Sequence, residues 1–243
     1  MARLLVLFAR DPERQAREKG LRAPGSEQLF LQFARGWARA AEGAGARLAI
    51  ATPPEDRPAW RRALAGTSEL GWIDQRGDSL GARLEDVARR AAALCGRAVI
   101  VGGDVPPAPA SLLEAFSRLE SGAHAVISPA PDGGVSLLAL SASDLDLLRG
   151  IRTKRRTVLR DLLRALSRRG RRVALLRPAA DVDGRRSLRA LLRRVAISAP
   201  LRDLIRAVLR FRVAGGETVP PPPRPRALAS PSDDRAPPFL RAA

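Results

Sequence analysis

Asp104 is the residue in this chain placed best to do chemistry. It follows Ala98-Val99-Ile100-Val101-Gly102-Gly103 and precedes Val105-Pro106. The β-branched run reads as a buried strand ending in a turn, and Gly103 lets the backbone approach something large. A carboxylate at the carboxyl end of a central strand lies where open α/β sheets bind ligands, and it suits a hard cation bridging phosphates. A second acidic pair, Asp181 and Asp183, lies just after the last predicted strand. One of the two could complete a two-carboxylate site of the kind Mg²⁺ prefers, while the other caps the following helix. Arg10, Lys19 and Arg22 lie after the first predicted strand, and cations in such a loop can hold phosphates. The segment Asp78 to Arg83 opens a helix, whose N-terminal N–H groups attract anions.

These groups need a scaffold of alternating strands and helices, and the apolar pattern supplies one. Strands are predicted over Leu4–Phe8, Arg47–Thr52, Gly71–Asp74, Ala98–Gly102, Ala123–Ser128, Val135–Leu140 and Arg172–Leu176. Helices are predicted from Ser26 to about Ala44, over 56–65, from Gly81 to about Leu94, over Ser111–Leu119, Leu145–Leu148 and Thr157–Arg168, and from Asp183 through about Val195. Residues 11–24 read as a charged loop. The alternation implies an α/β three-layer sandwich with a mostly parallel sheet. The short turn between 123–128 and 135–140 points to one antiparallel pair.

The 243 residues carry a net charge of +18, unevenly placed. Residues 1–148 hold 18 basic and 18 acidic side chains, whereas 149–212 hold 21 and 4. Lysine occurs only at positions 19 and 154, so nearly all of this charge is arginine, a skew that genome composition alone can produce. Nucleic acid is therefore not the favoured partner. A single cysteine, Cys95, excludes an internal disulfide and a cysteine-based zinc site. His124 has no His or Cys companion, and neither a Gly-x-Gly-x-x-Gly nor a Gly-Lys-Ser/Thr motif occurs. No apolar run of about 18 residues is present, so a cytoplasmic protein is expected. Residues 197–214 carry a basic amphipathic helix over 199–213 that could pack on its own domain or meet an anionic membrane surface. Residues 215–243 are proline-rich and expected to be disordered.

The order of the segments Leu5–Pro12, Gly77–Leu84, Val99–Pro106, Pro131–Leu140 and Val173–Asp183 resembles a bacterial GT-A-like transferase family of unknown function, the rSAM/selenodomain-associated glycosyltransferase-like proteins. These are relatives of the molybdenum-cofactor and phospholactate guanylyltransferases. The resembling segments together span residues 3–195, and residues 1–196 are expected to form one transferase domain. It implies a Rossmann-like, GT-A nucleotide-diphospho-sugar transferase fold. It implies a nucleoside triphosphate or nucleotide-sugar donor, a small-molecule acceptor, and Mg²⁺ or Mn²⁺ on Asp104 and Asp183. Ala9 and Arg10 fall on the nucleotide-contacting end of the first strand, and Gly81 and Arg83 on the helix-start motif. Asp132-Gly133-Gly134 falls on the acceptor side, which makes Asp132 the second catalytic candidate beside Asp104. The chain also departs from the family pattern. Lys19 alone lines up in the basic loop, Gly-Thr-Asp-Ser-Pro has become Gly-Gly-Asp-Val-Pro, an aromatic is replaced by Val135, and a Trp-Ser-Thr-like segment by Arg152-Thr153-Lys154-Arg155-Arg156. The departures support an alternative, a catalytically degenerate fold that binds an anionic partner through its arginine-rich half.

Overall fold

A computed structural model describes residues 2–65, 70–96, 98–151, 157–193 and 197–211. Seven strands form one sheet: β1 (Arg3–Phe8), β2 (Ala46–Thr52), β3 (Gly71–Asp74), β4 (Ala98–Gly102), β5 (Ala125–Pro129), β6 (Val135–Leu140) and β7 (Val173–Leu175). Their order across the sheet is β3-β2-β1-β4-β6-β5-β7. β6 alone runs antiparallel: its pairing with β5 is the one the short 129–135 turn predicts, and its pairing with β4 is a second antiparallel pair beyond that expectation. Every other pairing is parallel.

Alternation along the strands builds the layers. Leu5 and Leu7 of β1, with Val99 and Val101 of β4, face one core. It is covered by α2 (Glu27–Gly43), α3 (Arg57–Ala63) and α5 (Pro109–Glu120). Trp37, Trp60 and Phe116 fill that core and are almost wholly buried. Leu4, Val6 and Ile100 face the opposite core, with Val87 and Ala88 of α4 (Leu80–Cys95), Leu145 of the 3₁₀ turn Ala142–Leu148, and Leu162 and Leu166 of α6 (Val158–Arg168). Strands buried on both faces explain the continuous apolar runs of the sequence. The α/β class and the mostly parallel three-layer sandwich are therefore as the sequence implies.

The charged stretch after β1 is not a loop. It forms α1 (Pro12–Glu18). Asp11 caps this helix by accepting from the Arg14 N–H at 2.8 Å, Pro12 pre-sets the first turn, and Glu13 complements the helix dipole. These start signals prevail over the absence of an apolar periodicity, because the helix is short and buries only Pro12, Gln15 and Ala16.

α7 (Arg185–Leu192) and α8 (Ala199–Arg210) join α1 and α2 around a third core that contains Phe30, Phe33, Val182 and Leu188. Leu201, Ile205 and Val208 of α8 are buried in it. The apolar face of the basic helix is thus occupied within the domain, Arg206 and Arg210 are exposed, and Arg202 is half-buried. Among the described residues no helix is long and apolar enough to cross a membrane. The arginine-rich segment 152–156, the end of the helix expected to reach Val195 and the proline-rich stretch 215–243 lie outside the described residues.

Candidate active site

The carboxyl ends of β1 and β4 open onto one cleft of about 960 Å³. Backbone bonds continue the parallel pairing just past both strands: Gly103 N–H donates to Phe8 O at 2.9 Å and Ala9 N–H to Ala51 O at 2.9 Å. Gly103 is required here by packing. A side chain at this position would place its Cβ 2.6 Å from the Ala9 Cβ. The close approach expected of this glycine is therefore made by the protein's own first strand. Val105 N–H to Gly102 O, at 3.1 Å, closes the turn that presents Asp104. Trp37 Nε1–H, donating to Val105 O at 2.8 Å, pins that turn to α2.

The segment after β7 is tied to the same turn by Val182 N–H, which donates to Asp104 O at 2.9 Å, and by the burial of Val182 in the third core. The result is a cluster of three acids. One carboxylate oxygen each from Asp104, Asp181 and Asp183 lies within 4.8 Å of the others. The sequence expectation of one liganding and one capping acid is corrected here. Both join the cluster, and Gly184 takes the N-cap position of α7, with Ser187 Oγ accepting the N–H groups of Asp183 and Gly184 at 2.9 and 3.1 Å. Three hard oxygen donors at this spacing fit a small divalent cation.

Lys19 supplies the positive charge. Its Nζ lies 2.7 Å from Asp104 Oδ2 and also bonds Asp183 Oδ1. Burial alone would lower the Lys19 ammonium, but Asp104 and then Asp183 outweigh it and raise it above the ordinary lysine range. Asp181 is left as the acid with least compensation. Burial first, then the charges of Asp104 and Asp183, push its carboxyl up to about 6.

The sign of that shift gives a test. The folded state binds the Asp181 proton more tightly than the unfolded chain, so stability falls as pH rises from about 4 to about 6 and stays lower above that. Asp181→Asn removes the repulsion. Discounted for solvent screening, the gain is about 1–2 kcal/mol at pH 7.5, a rise of several degrees in the metal-free midpoint, and near zero at pH 4. Thermal melts at the two pH values check it. An equal effect at both would remove the charge explanation.

A second cluster, of cations, lines the same cleft. Arg10 lies after β1 and bonds Glu18 Oε1 through Nη1 at 3.1 Å, and Arg14 reaches the same oxygen at 3.6 Å. Arg83, in the first turn of α4, has no carboxylate partner among the described residues, and its Nε is buried and unbonded. Burial, then Arg10 and Arg14, lower its guanidinium. Like charges held together in part-buried surroundings favour an anion. Ser79 caps α4, its Oγ accepting from Ala82 N–H at 3.1 Å. Gly81 lines the cleft, and a Cβ there would lie 2.5 Å from Leu148 O, so this glycine also admits a crossing chain.

Asp132 is exposed at the cleft wall. Its Oδ1 accepts from Gly134 N–H at 2.9 Å and shapes the turn between β5 and β6. Arg22 is exposed and does not line the cleft. The structure thus brings together Ala9, Arg10, Lys19, Gly81, Arg83, Gly103, Asp104 and Asp132, with Asp183 beside them, and leaves Arg22 apart. Two lining residues carried no sequence signal. Gln75 donates through Nε2 to Ala9 O at 3.0 Å and Ala51 O at 2.8 Å, and holds the two strand ends together. Gln15 lies on the inner side of α1, against Gly103.

The fold is that of the nucleotide-diphospho-sugar transferases, GT-A-like, and similar solved structures share it. The chain matches a proposed nucleotide-diphospho-sugar transferase from Desulfovibrio desulfuricans G20 with a TM-score of 0.74 at 22% identity, over 86% of this chain and 98% of that one. It matches the inositol-1-phosphate CTP transferase of T. maritima with a TM-score of 0.51 at 12% identity, over 86% and 97%. A homologue of Mycobacterium tuberculosis Rv0371c from Mycobacterium sp. strain JC1 gives 0.52 at 15%, over 84% and 97%. In sequence, residues 37–155 match a family described as "Uncharacterized protein conserved in bacteria (DUF2064)". No curated protein matches the chain in sequence.

Proposed function

We propose that this protein is a metal-dependent transferase that moves a nucleotidyl or glycosyl group from a nucleoside triphosphate or nucleotide-sugar donor to a small-molecule acceptor. One observation carries the reading. One cleft is lined by Asp104, whose carboxylate lies within 4.8 Å of those of Asp181 and Asp183 beside it, and also by arginines, of which Arg83 lacks a carboxylate partner among the described residues. Donor phosphates need both a cation to bridge them and guanidiniums to bind them. The names of the T. maritima and D. desulfuricans neighbours, a CTP transferase and a proposed nucleotide-diphospho-sugar transferase, support the same class of donor.

Asp104 and Asp183, with Asp181, would hold Mg²⁺ or Mn²⁺, which supplies charge neutralisation for the transferring phosphate. Ala9 and Gly103 shape the inner wall of the cleft, and Arg10 and Arg83 fix the phosphates by charge-assisted hydrogen bonds. Gly81 brings the first N–H groups of α4 to the same wall. Asp132 engages Oδ1 in its turn and keeps Oδ2 to accept a proton from an acceptor hydroxyl. Transfer then depends mainly on positioning and on fixed charge.

A thermal-shift screen tests this with nucleoside triphosphates and nucleotide-sugars, each with and without Mg²⁺ or Mn²⁺. A donor present at about a hundred times its Kd stabilises by roughly 2.7 kcal/mol, a rise of roughly 5–10 °C in a domain of this size. A shift that needs both nucleotide and metal is expected. A folded sample that shifts with none of them overturns the proposal and leaves the anion-binding scaffold. That alternative predicts salt-sensitive association with anionic vesicles through the arginines of residues 149–212.

A further inference from the structure

We infer that Lys19 is the built-in counter-ion of the three acids, and that its ammonium and a divalent cation exclude one another from this position. The inference rests on the reading of Asp104, Asp181 and Asp183 as a metal site. The Lys19 Nζ bonds Asp104 and Asp183 together. An ion ligated by those two carboxylates would sit about 2.0–2.1 Å from each oxygen, inside the space the ammonium fills. Repulsion between two cations at such contact forbids sharing.

The geometry says what moves. The backbone of Lys19 is fixed at the C-terminal end of α1, where its N–H bonds the carbonyls of Arg17 and Gln15. Its own carbonyl abuts Gly184, where a Cβ would lie 3.2 Å away. That glycine has φ +149°, so the contact is built into the loop that carries Asp183. Only the flexible four-carbon stem is free to turn, and it lines the cleft that Arg10 and Arg83 also line. Donor phosphates are the groups that would draw the ammonium off the carboxylates.

A binding order follows. Metal alone competes with an internal cation already in place. Phosphates that take Lys19 vacate the carboxylates and raise metal affinity, and by linkage the metal raises nucleotide affinity by the same factor. Lys19 is thus a positioning residue that couples the two ligands, beyond any direct contact it makes with phosphate.

The test uses Mn²⁺ alone with the full chain at pH 7.5, and reads the free-ion signal by electron paramagnetic resonance. The set is the unaltered protein, Lys19→Met, Lys19→Arg and Asp104→Asn. Lys19→Met keeps the stem and removes the competitor, so it should bind Mn²⁺ roughly tenfold tighter or more. Lys19→Arg keeps the charge and should stay near the unaltered protein. Lys19→Gln serves in place of the methionine variant if that fails to fold. Unchanged or weaker Mn²⁺ binding on loss of the ammonium, in a protein whose Mn²⁺ binding is abolished by Asp104→Asn, overturns the exclusion and leaves the metal site standing. Mn²⁺ binding that no variant alters, Asp104→Asn included, overturns the metal site and the inference with it.

Discussion

Asp104→Asn is expected to abolish the metal-dependent thermal shift given by whichever nucleotide binds the unaltered protein. The substitution removes one of three carboxylates and, with it, the acid contributed by the central strand. Stabilisation of roughly 2.7 kcal/mol at a hundredfold excess of donor over Kd should then fall to near zero, which corresponds to at least a hundredfold loss of affinity. The fold should persist. The bond that ties the β7–α7 segment to this turn uses Asp104 O, a backbone atom, and survives the change. The metal-free midpoint should move little, because two effects oppose one another. Lys19 loses one of its two partners, while Asp181 and Asp183 lose a repelling neighbour. Asp132→Asn is the matched control. Asparagine keeps an Oδ1 for the Gly134 N–H, so the turn and the metal-dependent shift should both remain. Equal shifts in the Asp104→Asn and unaltered proteins would show that this acid holds no metal.

The strand pattern was open to a reader of the sequence because two-sided burial forces it. Val6, Val99, Val101, Val126 and Ile127 are all buried, so each run is apolar on both faces and bounded by turn residues. Asp104 was legible for the same reason, being the first acidic group past such a run. What pattern does not encode is contact between segments distant in sequence. Whether Asp181 or Asp183 reaches Asp104 depends on the Val182 N–H bond to Asp104 O, and that bond places both acids in the cluster. Gly103 looked like a ligand-approach glycine, yet its tightest neighbour is the Ala9 Cβ. Lys19 looked like a phosphate contact, and the sequence could not show that two acids from other loops already hold it. Helix α1 is a different failure, since its cap, proline and acidic first turn are all local. The missing apolar stripe masked them, because α1 buries little, with Ala16 as its contribution to the core it shares with α2.

Trp37→Ala carries the largest expected stability cost, and it joins the core to the site. The indole is almost wholly buried in the core that contains Leu7, Val101 and Phe116. Truncating a buried aromatic to alanine costs about 3–5 kcal/mol, a large part of a total stability of about 5–15 kcal/mol. The midpoint should fall by roughly 10 °C or more. Trp37→Phe is the milder change. It keeps a phenyl ring in the core but loses part of the indole together with the Nε1–H that Val105 O accepts, so it should cost about 1–3 kcal/mol. Its second effect concerns function. Val105 O belongs to the turn that presents Asp104, and a turn no longer pinned to α2 should hold its carboxylate less firmly. The phenylalanine variant should therefore lose donor and metal affinity beyond what its modest destabilisation explains, measured at a temperature where it is fully folded. Unfolding curves and metal-dependent nucleotide binding on the same samples decide this. Full affinity in a destabilised Trp37→Phe protein would show that Gly103 packing and the Val182 bond alone position Asp104.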